Sequence, residues 1–244
     1  MNKIAIIVTT IKRDEMMMKC VSSHLDKNIT TYLLDQGEIT LTKKRFYKEL
    51  ENRGNHIYCI SKDFGIPGAR KFLVEKVTEP FVLVADDDIE LISNPNEILY
   101  HFNENSKLGI IGGCCINKAK NDIEQHYEYA LEIKNQILYL KNSKKIDLVL
   151  NFFVARRELF NDIQWDERLK LMEHLDFFLQ LKELDKWDII YDKELLSNHY
   201  SYGLRPSNYS IIRRNPKTLR QCQEILYKKW NYFRMERDKW RNII

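Results

Sequence analysis

The sequence has little that would support an extracellular or membrane-spanning fold. Its five cysteines are odd in number, two of them are adjacent, and no pair has the spacing of a metal site. That pattern favours reduced thiols in a cytosol-like compartment over a disulfide framework. The first apolar run, IAIIVTT, has seven residues, which is too short for a signal peptide or a membrane span. We therefore expect a cytoplasmic protein and interpret this run as a first buried strand.

Internal repeats and low-complexity segments are also absent from the sequence. The 244 residues are 44% hydrophobic and 30% charged, as expected for a globular protein with a substantial core. Short apolar runs alternate with helical patterns, which favours an α/β fold with a mostly parallel central sheet flanked by helices. The predicted strands are 4–9, 30–35, 56–60, 81–85, 108–115 and 187–191. Residues 121–150 fit either antiparallel strands or a helix, and a long helix is predicted over 216–241.

Positive charge is concentrated at the C-terminal end of the chain. Residues 213–244 contain ten Lys or Arg and three acids, a net charge of +7, so residues 1–212 carry −3 of the total +4. This predicts one domain over 1–212 and a basic, amphipathic helical extension over 213–244. A nucleic-acid-binding protein would spread basic residues around its reading surface, so we expect no nucleic-acid partner. The extension can either lie in an anionic membrane interface or pack its apolar face on the domain.

The most informative segment is FVLVADDDIE at residues 81–90. An apolar run without alternation indicates a strand buried on both faces, and three like charges at its end are costly unless a cation binds there. Ligands of open α/β sheets bind outside the carboxyl ends of the strands, where Mg²⁺ or Mn²⁺ would find carboxylate oxygens. Asp86 and Asp88 share one side of an extended chain, and Asp87 faces the other. The segment predicts a metal–diphosphate site; the alternative is a solvated acidic turn that caps the next helix.

Several segments, in this order, resemble the nucleotide-sugar glycosyltransferases of the GT-A type. IAIIVTTIKR and TYLLDQGE are similar to the first two strands of glycosyltransferase family 2 and the loops that follow them. GIPGARKFLVEKVTEPFVLVADDDIE is similar to the helix, strand and aspartates that precede the metal in that family. NFFVARRELF and WDERLKLMEHLDFFLQLK resemble, more narrowly, the ganglioside β-1,4-N-acetylgalactosaminyltransferases of family 12. The resemblance spans residues 4–200 and implies a GT-A, Rossmann-like fold.

The resemblance also implies which residues bind the donor. The residues around the nucleotide and sugar would be Thr9, Thr10, Arg13, Asp35, Arg70, Lys71, Asp86, Asp87 and Asn151. Arg70 and Lys71 would meet phosphate or the uracil edge, since an arginine–phosphate pair makes charge-assisted hydrogen bonds. Their alternative is a pair of surface charges at the start of a helix. Gly112 and Gly113 either let a backbone approach a ligand closely or mark a plain strand end.

For the metal, the resemblance implies Asp88 as the direct ligand, with Asp86 supporting the site or touching the ribose. Which of the three aspartates contacts the metal is left open by the sequence. His199 follows a strand-like segment, where related enzymes carry a histidine that completes the metal site or touches the diphosphate. The alternative for His199 is a structural hydrogen bond. The expected cofactor is Mn²⁺ or Mg²⁺.

Two acids are candidates for the catalytic base. Glu173 and Asp176 lie three residues apart at the start of an amphipathic helix, so we expect both to face the cleft. Inverting transfer needs a carboxylate that takes the proton of the attacking hydroxyl. The wider family usually has Glu-Asp at 173–174, whereas this sequence has His174. The family 12 stretch also has His there and an acid at position 176, which favours Asp176, with Glu173 second. Alternatively, the two acids only favour the helix N-terminus through its dipole.

Together these features predict an inverting, metal-dependent glycosyltransferase. It would move N-acetylgalactosamine, or a related hexose or hexosamine, from a UDP-sugar to a hydroxyl of a surface glycan or glycolipid. The basic extension would bring it to the inner face of the cytoplasmic membrane. One alternative is a nucleotidylyltransferase, although VTTIKRDE lacks the glycines of the basic loop expected after its first strand. The other is a non-catalytic nucleotide-sugar-binding module, which would not need Glu173 and Asp176 at the diphosphate.

Overall fold

The computed structural model describes residues 3–118, 122–123, 130–133, 136–139, 146–200 and 215–230. Strands and helices alternate through the first half of the chain, as the sequence predicts. The strands are β1 (Ile4–Thr10), β2 (Thr30–Asp35), β3 (His56–Cys59), β4 (Phe81–Asp86), β5 (Ile89–Leu91), β6 (Leu108–Asn117), β7 (Asp122–Ile123), β8 (Ala130–Ile133), β9 (Gln136–Tyr139), β10 (Phe152–Arg156) and β11 (Asp188–His199). The helices are α1 (Asp14–Ser22), α2 (Leu41–Asn52), α3 (Gly65–Val74), α4 (Tyr100–Glu104), α5 (Leu159–Asp162), α6 (Glu173–Leu184) and α7 (Pro216–Trp230), with a 3₁₀ turn at Pro95–Ile98.

Among the described residues, nine strands form the main sheet, in the order β3-β2-β1-β4-β10-β6-β11-β5, with β7 paired to β6. Strands β3, β2, β1 and β4 are parallel, so their carboxyl ends share one edge: Thr10 pairs with Asp35, and Thr9 pairs with Asp86. Strand β10 is antiparallel to both β4 and β6, whereas β6 and β11 are parallel. The expected α/β fold is confirmed. Its parallel half carries the predicted site at one edge.

Both faces of the sheet are covered, which explains why its strands are apolar without alternation. In β4, Val82 and Val84 belong to one hydrophobic cluster, while Leu83 and Ala85 belong to the cluster on the other face. Each of these four side chains is at most 2% exposed. The prediction that the strand before the aspartates is buried on both sides is therefore confirmed.

Gly112 and Gly113 lie inside β6, where the neighbouring core leaves no space for a side chain. A Cβ atom on Gly112 would lie 2.4 Å from Cγ1 of Val149, and one on Gly113 would lie 2.5 Å from Cε1 of Phe152. The missing side chains at Gly112 and Gly113 therefore make room for Val149 and Phe152 of the protein's own core. Phe153, predicted to be a core residue, is buried as expected.

The described part of the C-terminal extension packs on the domain. Cys222, Leu226 and Trp230 of α7 form a hydrophobic cluster with Leu175 and Leu179 of α6. Of the two alternatives for the extension, α7 therefore follows the one in which its apolar face is buried. The rest of the predicted extension, 231–244, and the predicted domain boundary at 212–213 lie outside the described residues. Within the described residues, no helix has the length and apolar character needed to cross a membrane.

Candidate active site

A cavity of about 340 Å³ lies at the edge of the sheet where β1, β2 and β4 end. Ligands of open α/β sheets bind at such carboxyl edges. The walls come from the loops after β1 and β2, the start of α3, the tip of β4, the segment before α6 and the start of α7. The lining residues are Thr9, Thr10, Ile11, Gln36, Asp63, Gly65, Ile66, Asp86, Asp87, Lys170, Leu171, Asn215 and Thr218. Four of them, Thr9, Thr10, Asp86 and Asp87, are predicted donor-binding residues.

Asp86, the last residue of β4, is held by a buried arginine. Nη2 of Arg70 donates to Oδ1 of Asp86 at 2.6 Å, and Nη1 donates to Oδ1 of Asn151 at 3.3 Å. Nη1 also lies 3.6 Å from Oε1 of Glu173. Arg70 comes from α3, which begins at Gly65 with φ +70°, a value that favours glycine. Because a guanidinium donates in several fixed directions, one residue joins four predicted site residues, itself included.

The other two aspartates share a second arginine. Nη1 of Arg13 donates to Oδ1 of Asp87 and Nη2 donates to Oδ2 of Asp88, both at 2.7 Å. Oγ1 of Thr10 donates to the second oxygen of Asp87, also at 2.7 Å. Burial raises the pKa of Asp87, although the charge of Arg13 opposes the shift. Burial would raise the pKa of Asp88 too, but the nearby His199 and the charge of Arg13 outweigh it and hold that pKa below its usual range. Asp88 is therefore the more readily ionised of the two.

Asp88 and His199 have the chemistry of a divalent-cation site. His199 ends β11, and its Nε2 lies 3.6 Å from Oδ2 of Asp88. The backbone N–H of Tyr200 donates to the carbonyl of Asp88 at 2.9 Å, which fixes the turn beside β11. Oδ1 of Asp88 is buried and has no hydrogen-bond partner. A buried carboxylate oxygen left unpaired is costly, and carboxylate and imidazole groups are both metal ligands. These residues therefore fit such a cation.

In this structure, the side chains that would bind the cation do not converge on one point. Within the described residues, no three acidic, cysteine or histidine side chains converge as metal ligands would. The aspartates are directed instead at two guanidinium groups, those of Arg70 and Arg13. The positive charge at this edge of the sheet is thus supplied by side chains of the protein itself.

Asp35 ends β2 as predicted, but its carboxylate faces the interior. It is fully buried, with Oδ1 accepting from the backbone N–H of Gly37 at 2.8 Å and Oδ2 accepting from Oη of Tyr47 at 2.6 Å. Nζ of Lys43, itself 1% exposed, lies 2.9 Å from the same Oδ2. Asp35 therefore anchors α2 to the sheet. The cavity is lined instead by its neighbour Gln36.

The two candidate bases differ in their surroundings. Glu173 is 3% exposed and lies near Arg70, on the side of the aspartates. It follows Met172, which has φ +65°, a backbone conformation that costs energy for a residue with a side chain and is often found at functional sites. Its neighbour His174 is partly buried and bonds through Nε2 to the carbonyl of Val149 at 2.6 Å. Burial, with the charge of Arg70, lowers the pKa of His174 to about 4.

Asp176 is fully enclosed and holds α7 in place. Its Oδ1 accepts from Nε1 of Trp230, while its Oδ2 accepts from Nζ of Lys229 and Nε2 of Gln180, each at 2.8 Å. Asp176 has no exposed surface, and neither Asp176 nor Glu173 is among the residues that line the cavity. The expectation that Glu173 and Asp176 both face the cleft does not match this arrangement, because α7 covers the side of α6 that carries Asp176.

Lys71 lies apart from the other predicted donor residues. Its Nζ pairs with Oε1 of Glu167 at 2.7 Å, and the two side chains are 38% and 56% exposed. Lys71 does not line the cavity. Lys71 matches the alternative of a surface charge, although it lies in the last turn of α3 and not at the start of the helix.

Other cavity residues were not predicted as site residues. Gln36 sits directly after Asp35, and its Oε1 accepts from the backbone N–H of Phe64 at 2.6 Å, which draws the loop before α3 to the end of β2. The position of Gln36 directly after a strand could have identified it from the sequence as a candidate site residue. Asn215, directly before α7, and Thr218, in the first turn of α7, also line the cavity. No local pattern marks them, since their position depends on the docking of a helix from the end of the chain.

The sequence matches no protein-family model. Solved structures with a similar fold include S. aureus TarS 1-349, with a TM-score of 0.67 and 15% identity over 98% of this chain and 68% of that one. The same protein in complex with UDP-GlcNAc has a TM-score of 0.69 and 16% identity over 97% and 69%. GalNAc-T7 with UDP, GalNAc and Mn²⁺ has a TM-score of 0.71 and 12% identity over 100% of this chain and 52% of that one. This chain thus spans about half the length of the GalNAc-T7 chain. These structures are GT-A glycosyltransferases, so the predicted GT-A, Rossmann-like fold is confirmed.

Proposed function

We propose that this protein is an inverting, divalent-metal-dependent glycosyltransferase that uses a UDP-sugar. The observation that carries the proposal is the carboxyl edge of the sheet, where Asp88 and His199 fit a cation beside a cavity lined by Asp86, Asp87 and the loop after β1. Three of the similar structures contain UDP, UDP-GlcNAc, or UDP with GalNAc and Mn²⁺. A nucleotide-sugar donor fits the same edge of this fold.

In this proposal the donor lies in the cavity with its diphosphate beside β4. Thr9, Thr10 and the following loop, with Gln36, would hold the nucleoside. Arg70 is buried and binds Asp86 and Asn151, so its proposed role is to fix the carboxylate of Asp86 toward the ribose or the metal. Asp88 and His199 would hold Mn²⁺ or Mg²⁺, and the bound ion would neutralise the leaving diphosphate as a Lewis acid. The aspartates 86–88 would thus act as the DXD motif of the GT-A family.

The base in this proposal is Glu173 rather than Asp176. Inverting transfer needs a carboxylate that accepts the proton of the attacking hydroxyl. Glu173 is linked to Asp86 through Arg70, whereas Asp176 faces α7 and binds Lys229 and Trp230 there. Glu173 would take the proton as the acceptor oxygen attacks the anomeric carbon, and Asp176 would keep α7 in place.

The donor sugar we propose is N-acetylgalactosamine or a related hexosamine, in line with the resemblance to family 12 and with the sugars named for the similar structures. The acceptor would be a hydroxyl of a surface glycan, a lipooligosaccharide or another glycolipid, assembled on the cytoplasmic side of the membrane. Peripheral membrane contact would come from the basic side of the extension, since the apolar face of α7 is used in packing.

The test is UDP release from a panel of UDP-sugars with and without Mn²⁺. We expect metal-dependent UDP release with a UDP-hexosamine, and a loss of about 10²-fold or more in Asp88→Asn, because the variant removes a charge that would hold the metal. Asp185→Asn is the matched control, since Asp185 is exposed at the end of α6, and its rate should equal that of the wild type.

Other outcomes would support one of the two alternative functions. Release of pyrophosphate from a nucleoside triphosphate and a sugar phosphate would support a nucleotidylyltransferase. Thermal stabilisation by UDP-sugars without UDP release from any of them, in the presence of varied acceptors, would support a binding module. Equal rates for the wild type and Asp88→Asn would contradict the proposed metal site.

A further inference from the structure

Arg13 contacts two of the three aspartates at the proposed metal site. Its guanidinium spans the two carboxylates of Asp87 and Asp88, with one nitrogen at 2.7 Å from an oxygen of each. Arg13 lies just before α1, and the residue before it, Lys12, has φ +55°. Non-glycine residues adopt such a conformation at an energetic cost, which the surrounding contacts must offset. The backbone is therefore held in the geometry that brings Arg13 to the aspartates.

The guanidinium and a divalent ion would need the same carboxylate. Oδ2 of Asp88 accepts from Arg13, and its other oxygen, Oδ1, is buried without a partner. A cation bound to Asp88 would stand within a few ångströms of a positive charge that is only 16% exposed. Like charges at such a separation repel strongly, because little water is present to screen them. Both cations can be accommodated only if the contact of Arg13 with Asp88 weakens.

We propose that Arg13 is a built-in counter-cation that holds Asp87 and Asp88 in the absence of metal and competes with the divalent ion for Asp88. The inference rests on the proposed function, since it takes Asp88 as a metal ligand. Without such a cation, adjacent buried aspartates would repel each other; with it, they stay in place at the cost of weaker metal binding. Arg13 thereby sets the metal affinity of the free protein.

The test measures binding of Mn²⁺ alone to the protein, from the electron paramagnetic resonance signal of free Mn²⁺, with no nucleotide present. We expect Arg13→Gln to lower the Kd for Mn²⁺ by at least about tenfold, because it removes a nearby positive charge. Arg13→Lys keeps the charge but lacks the fork that gives each carboxylate its own nitrogen, so its Kd should lie between those of the wild type and Arg13→Gln. Arg53→Gln is the matched control, since Arg53 is half exposed and pairs with Glu49 at the surface; its Kd should equal that of the wild type.

Asp88→Asn, alone and combined with Arg13→Gln, assigns the measured binding to this site. Tighter Mn²⁺ binding in Arg13→Gln that is lost in the double variant supports the inference. Unchanged or weaker binding in Arg13→Gln, while Asp88→Asn still abolishes the binding of the wild type, overturns the inference and leaves the proposed function intact. Mn²⁺ binding that does not respond to Asp88→Asn, or no binding in any variant, overturns both. If Arg13→Gln does not fold, Arg13→Lys decides by the same criteria.

Discussion

Asp88 and Asp176 are both buried aspartates in the region expected to be catalytic, and they differ in how their oxygens are used. Asp176 has three donors for its two oxygens, all from α6 and α7. Asp88 has Arg13 and His199 near one oxygen, while the other has no hydrogen-bond partner. A fully satisfied carboxylate stabilises the fold, whereas one with spare capacity can bind a ligand. This difference, rather than burial, separates the structural acid from the proposed functional one.

The same contrast is repeated within a single turn of α6. Residues three apart on a helix are neighbours, so the sequence predicts one shared environment for Glu173 and Asp176. They have different partners instead, because Glu173 lies 3.6 Å from Arg70 of α3 whereas Asp176 accepts from Lys229 and Trp230 of α7. A helical pattern predicts which residues are adjacent but does not predict which other helix covers one of them.

The largest expected effect is on the rate of catalysis and tests whether Glu173 or Asp176 is the base. We expect Glu173→Gln to reduce the kcat of UDP release by about 10²–10⁴-fold, because loss of a general base usually costs that much. Glu183→Gln, at an exposed position of the same helix, should leave kcat unchanged. Steady-state kinetics on UDP formation with the best donor provides the measurement. A full rate in Glu173→Gln, combined with loss of activity in a folded Asp176→Asn, would restore Asp176 as the base.

The next effect concerns the stability that Asp176 gives to the docking of α7. Lys229→Met leaves Asp176 without its charged partner, and we expect the free energy of unfolding to fall by about 2 kcal/mol, since a buried charge loses a hydrogen bond to a partly exposed lysine. Lys228→Met removes the same charge from an exposed neighbour and should change stability by less than about 0.5 kcal/mol. Urea unfolding of both variants gives the comparison. Equal losses would mean that the Asp176–Lys229 contact does not hold α7.

A further effect, which appears only at low pH, tests a buried histidine. His24 is 1% exposed, and burial, together with the charge of Lys27, lowers its pKa to about 3. Its neutral form is favoured in the folded state, so this contribution to stability is complete above the unfolded pKa near 6.5 and is lost as pH falls toward 3. At pH 5 the loss amounts to about 2 kcal/mol. We expect the difference in unfolding free energy between pH 7.5 and pH 5.0 to shrink by about that amount in His24→Gln.

The control for the pH experiment is His56→Gln, because His56 is exposed. Its pH dependence should match that of the wild type. An unchanged pH dependence in His24→Gln would mean that His24 does not resist protonation in the folded protein.

The sequence predicted those parts of the site that depend on strand ends. The apolar run of β4 and the aspartates after it, and the strand of β1 with its threonines, are local patterns, and parallel pairing brings them to one edge. The partners of Asp35 were not predictable in this way. A lysine in an amphipathic helix is expected to face water, yet Lys43 of α2 is buried against Asp35. The contact of Asp176 with Lys229 likewise joins segments that are far apart in the sequence and share no pattern.

Helix α7 connects the wall of the cavity to the buried carboxylate of Asp176. Helix α7 has Thr218 in its first turn at the wall of the cavity and Trp230 in its last turn on the buried carboxylate of Asp176. A helix is a stiff rod that rises about 1.5 Å per residue, so its two ends move together. The packing of Trp230 on Asp176, about 18 Å further along the helix, therefore also holds Thr218 at the wall of the cavity.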